Sequence, residues 1–140
     1  MSPTPDGGPD PRSLDRAREI MEAFARSTGL TNNVAPRRYL WTDAFAVCNY
    51  LGLDEATGEP GWLELAIRLV DQVHWTLGRH RPDSRHQGWI SGLGEEEGRR
   101  RPTAGGLRIG KPEPERETGE PWDPRREGTF LSASAYNRHP

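Results

Sequence analysis

The chain has 140 residues, enough for one ordinary domain, yet only 32% of them are apolar and it carries 16 Gly and 13 Pro, a thin supply of core. Its 19 basic and 21 acidic side chains nearly cancel, so no overall charge draws nucleic acid or an anionic membrane, and the single cysteine, Cys48, excludes an intrachain disulfide or a cysteine-built zinc site. No stretch approaches the roughly 20 apolar residues of a membrane span and the first residues lack the apolar run of a signal peptide, so the expected location is the cytoplasm.

Residues 1–12, rich in Pro, Gly and Asp, read as a disordered leader. From Ser13 the pattern changes: Leu14, Ala17, Ile20, Met21, Phe24 and Ala25 recur at three- and four-residue steps, which predicts an amphipathic helix with Ser13 as its N-cap and Gly29 at its end. The second predicted helix, Leu40 to Leu51, is different in kind. Its apolar residues surround the axis and leave Asp43 and Asn49 as polar exceptions, the pattern of a helix buried on all sides. A turn-rich connection from Gly52 to Gly61 leads to a third helix from Trp62 to Leu77, with Trp62, Leu65, Ala66, Leu69, Val70, Val73 and Leu77 on one stripe and Gly78 as its stop. The second and third helices form an expected αα-hairpin. Residues 13–78 are therefore the helical segment, and residues 79–140 a long Gly/Pro-rich loop region, partly disordered, with short strands expected at Trp89-Ile90 and Leu107-Arg108-Ile109.

Few motifs carry chemistry. Gly105 to Lys111 has the glycine and lysine spacing of a phosphate-binding loop, but Pro112, Glu113 and Pro114 follow where a Ser or Thr and a helix start are needed, so it reads as a glycine-rich turn. The run Glu95-Glu96-Glu97 beside Arg99-Arg100-Arg101 reads as a solvated loop tip. Asp43, at the start of the buried helix, is either a carboxylate stabilised by the helix dipole or a site residue at the mouth of a cavity. Its neighbours Arg37, Arg38, Tyr39 and Trp41 favour keeping the second reading, because aromatic rings cover a pyranose face while carboxylates and guanidinium groups bind its hydroxyls. The segment Arg79 to His86 adds three Arg, two His and Asp83, with His80 and His86 able to carry protons near neutral pH.

Arg38 to Leu51, Leu69 to His74, Gly88 to Leu93 and Gly106 to Lys111 together resemble the opening of a protein group in the six-hairpin glycosidase-like class, over residues 36–122. The resemblance implies a toroid of αα-hairpins, (α/α)6, with Leu40 to Leu51 an inner helix and Trp62 to Leu77 an outer one. It also implies an association with carbohydrate metabolism, since the class includes glycoside hydrolases and sugar epimerases with pockets at one rim of the inner helices. Where such proteins continue into another helix, Trp122 to Pro140 reads as loop or as an altered reading frame. The expectation is thus an all-α fold, the first αα-hairpins of an incomplete toroid, not catalytically competent alone. Asp43 is its catalytic candidate, and Arg38, Trp41, His80, Arg81 and Trp89 are its substrate-binding candidates. Carbohydrate is the expected ligand; no metal, cofactor, nucleic acid or membrane is expected. A competing reading is a small helical module that docks a protein partner through an exposed apolar flank of the second helix. A third is a nonfunctional truncated gene product.

Overall fold

The computed structural model describes residues 8–111 and 130–131. The described chain is mostly helical: α1 Pro11–Ser27, α2 Leu40–Thr57, α3 Pro60–Leu77 and α4 Glu95–Arg100, with two-residue strands β1 Leu107–Arg108 and β2 Phe130–Leu131. The strands pair antiparallel, Leu107 opposite Leu131 and Arg108 opposite Phe130. Trp89, expected in a strand, forms one isolated bridge with Arg79. The expected leader lies outside the described residues up to residue 7, and the altered-frame reading of Trp122 to Pro140 also falls largely outside them.

Helix α1 starts before Ser13. Its N-cap is Asp10, whose Oδ1 accepts the Arg12 N–H at 3.2 Å, and Pro11 follows at a position where a missing N–H costs nothing. At the other end the Thr28 N–H and hydroxyl both donate to the Phe24 carbonyl, and Gly29 turns the chain with φ 80°. Glycine is required there twice over, because a Cβ would stand 2.6 Å from the Val34 carbonyl oxygen.

Helix α2 is longer than the sequence suggests. It runs through Gly52 to Thr57, so the expected Gly52-to-Gly61 connection shrinks to Gly58 and Glu59. A mid-helix glycine costs about 1 kcal/mol relative to alanine. Burying Leu53 one residue on contributes roughly 1.5–3 kcal/mol, which is enough to carry the helix across. The connection is locally sealed: the Thr57 hydroxyl donates to the Leu53 carbonyl and accepts the Glu59 N–H, Gly58 has φ 68°, and Pro60 opens α3.

The described residues cover α2 on one side only. Ala46, Tyr50 and Leu53 are buried, but Trp41 is 52% exposed, Phe45 72% and Leu51 44%. Cys48 is exposed on the same helix. The loop tip around Glu95 is likewise a short helix, α4, in which Arg100 reaches back to Glu96 at 2.9 Å and Glu97 at 3.1 Å.

By their internal contacts the residues form two compact units: one from residues up to Arg37 with Ala44–Val70, the other from Arg38–Asp43 with residues from Asp71 onward. The first is centred on Tyr50, fully buried, which stacks on Trp62 at 6.1 Å between ring centroids and lies 6.5 Å from Phe24. Its hydroxyl donates to the Met21 carbonyl at 2.8 Å, so the aromatic ring is buried without leaving its polar end unsatisfied. The second unit buries Val73, Leu77, Trp89 and Ile109 together with three charged residues, Arg38, Asp43 and Arg108.

Candidate functional site

The expected site residues Arg38, Trp41, Asp43, His80, Arg81 and Trp89 all belong to the second unit. Asp43 sits in the first turn of α2 and reaches back so that its Oδ2 accepts the Tyr39 N–H at 2.9 Å, satisfying a donor that the helix start leaves over. Its Oδ1 lies 3.6 Å from Nη1 of Arg38, and both side chains are almost wholly removed from solvent. Burial pushes the Asp43 carboxyl above the ordinary carboxylate value, against the pull of the Arg38 charge and the Tyr39 N–H. With 1% of its surface exposed, Asp43 has no face to offer a glycosidic bond in this conformation. It anchors the entry to α2.

The segment that the sequence presents as a glycine-rich turn completes this anchor. The Ile109 carbonyl accepts the Leu40 N–H at 2.9 Å, covering another donor of the α2 start. Gly110, with φ 93°, lies against the Arg38 carbonyl so closely that a Cβ would be 2.2 Å from the oxygen. Arg108 turns inward and donates through Nε to the Arg79 carbonyl at 2.7 Å and through Nη2 to the Thr76 carbonyl at 2.6 Å, capping the end of α3 with a cation. Residues 107–110 therefore strap the start of α2 and the end of α3 in place.

The substrate-binding candidates fall into different environments. Trp41 is exposed on the first turn of α2. Arg81 is occupied by its own loop, forking onto both Asp83 oxygens at 2.9 and 3.0 Å and donating to the Lys111 carbonyl at 2.7 Å. That fork holds the Asp83 carboxyl below its ordinary value. His80 is half-buried, its ring 5.5 Å from that of His86, and its backbone N–H donates to the Gly88 carbonyl. Trp89, the remaining substrate-binding candidate, lies inside the unit. It is 4% exposed and meets Trp75 edge-on at 5.7 Å, and Gly98 packs so tightly on its ring that a Cβ there would come within 2.1 Å.

Sequence reasoning missed the aromatic–guanidinium stack around Trp89. The Arg79 guanidinium lies 4.5 Å from the Trp75 centroid and 5.0 Å from that of Trp89, and Arg79 also pairs with Glu95 at 2.8 Å. Arg99 approaches Trp75 at 5.2 Å. Trp75 lies in the last turn of α3 and Arg79 two residues past its end, so closeness along the chain was the available signal. Both guanidinium groups lie over the Trp75 ring.

In the first unit an open groove of about 580 Å³ is lined by Glu22, Glu59, Trp62, Glu64, Leu65 and Arg68, none of them an expected site residue. Glu59 accepts the Trp62 indole N–H at 3.2 Å and the Arg18 guanidinium at 3.0 Å, and these bonds hold its carboxyl below the ordinary value. Among the described residues no three His, Cys, Asp or Glu side chains gather as metal ligands, and no helix is long and apolar enough to cross a membrane. Compared with known proteins, the chain matches no family model, no curated protein and no solved structure.

Proposed function

We propose that this chain is the opening portion of an (α/α) toroid of the six-hairpin glycosidase-like class, linked to carbohydrate binding and not catalytically competent alone. The observation that carries the reading is the outward apolar flank of α2. A helix on a solvated surface turns charged residues outward, whereas α2 turns out Trp41, Phe45, Cys48 and Leu51 while its other side is buried. An inner toroid helix has this distribution, and the occupant that fits the flank is a neighbouring αα-hairpin presenting aliphatic side chains. Glycoside hydrolysis uses two carboxyl groups set about 5–9.5 Å apart across the bond. Asp43 is the carboxylate of the candidate site and is enclosed, which argues against catalysis by these residues alone.

The same flank supports a second reading, a helical module that docks a protein partner and has no dependence on sugar. Titration with monosaccharides and short glycans, followed by tryptophan fluorescence, separates the two. The toroid reading expects a saturable change that Trp41→Ala abolishes. No saturable change in the unsubstituted chain would count against sugar binding and leave the docking module standing. Hydrophobic-dye binding tests the shared premise: the chain should bind dye, and Phe45→Ser with Leu51→Ser should reduce it. A chain that binds no dye has no open apolar flank, and both readings then fail.

A further inference from the structure

We draw no further inference here: the strongest candidate, the exposed apolar stripe of Phe45, Cys48 and Leu51 along α2, belongs to the flank on which the proposed function already rests, and nothing in the structure shows what covers it.

Discussion

Asp43 and Arg38 set an electrostatic problem that the rest of the second unit has to solve. Both side chains are out of solvent, and their 3.6 Å separation gives attraction without a short direct hydrogen bond. Because burial raises the Asp43 carboxyl in the folded state, its contribution to stability is fully present below the ordinary carboxylate value and is lost as pH rises through the raised one. This group alone therefore favours the fold on mild acidification from neutrality. Glu59 and Asp83 act in the opposite sense: their lowered values give a contribution present above the ordinary value and lost as pH falls through the lowered one. Arg38→Met removes the cation that faces Asp43. It should cost about 3 kcal/mol at pH 7, in the range for breaking a buried pair, and less at a lower pH, where Asp43 is closer to taking up a proton. Urea unfolding of both proteins at the two pH values measures this, and a pH-independent loss would contradict it.

Gly98 offers a second residue-scale test. Alanine is favoured over glycine in a helix by about 1 kcal/mol, while overpacking a core costs about 1–3 kcal/mol. Three atoms of the Trp89 ring lie within 2.4 Å of the added Cβ, so overpacking wins and Gly98→Ala should be destabilising, read as a lowered urea midpoint and a changed tryptophan emission. Asp43 was legible in the sequence as the polar exception at a helix start. Trp89 was not, because what buries it is Gly98 in a short helix that the glycine itself disguised as a charged loop.

Among the elements, α2 separates burial from exposure most sharply. Tyr50→Phe deletes only the hydroxyl that donates to the Met21 carbonyl and should cost about 1 kcal/mol, the net value of a typical hydrogen bond plus the orphaned acceptor. Phe45→Ser, at a position 72% exposed, should change stability by no more than about 0.5 kcal/mol despite the larger chemical change. Thermal or urea unfolding of the pair checks the ordering, and a larger loss at Phe45 would mean the chain covers that flank in solution. The three long helices were legible because apolar spacing is local. Their ends were less so: Asp10 outcompeted Ser13 as the N-cap, and α2 passed through Gly52 because tertiary burial of Leu53 outweighed a local propensity.

At the scale of the molecule, apolar periodicity predicts an all-α chain, and the described residues are mostly helical with two two-residue strands. What composition could not foretell is that a stretch crowded with Gly and Pro is built rather than slack up to Lys111. Its glycines serve close approaches, Gly105 against the Ser91 backbone and Gly110 against Arg38, and Gly78 just before it lies beneath the Pro102 carbonyl. Such contacts leave no period in the sequence, since each depends on a partner from a distant position.

The Arg108 cap also has a kinetic side. Its guanidinium grips carbonyls 29 and 32 residues earlier in the chain, so the grip can form only after an intervening loop has closed, an entropic step that grows with loop length. The aromatic cluster about Tyr50 can assemble without it. Arg108→Met should therefore quicken unfolding while leaving the refolding rate nearly unchanged, a split that stopped-flow measurements resolve.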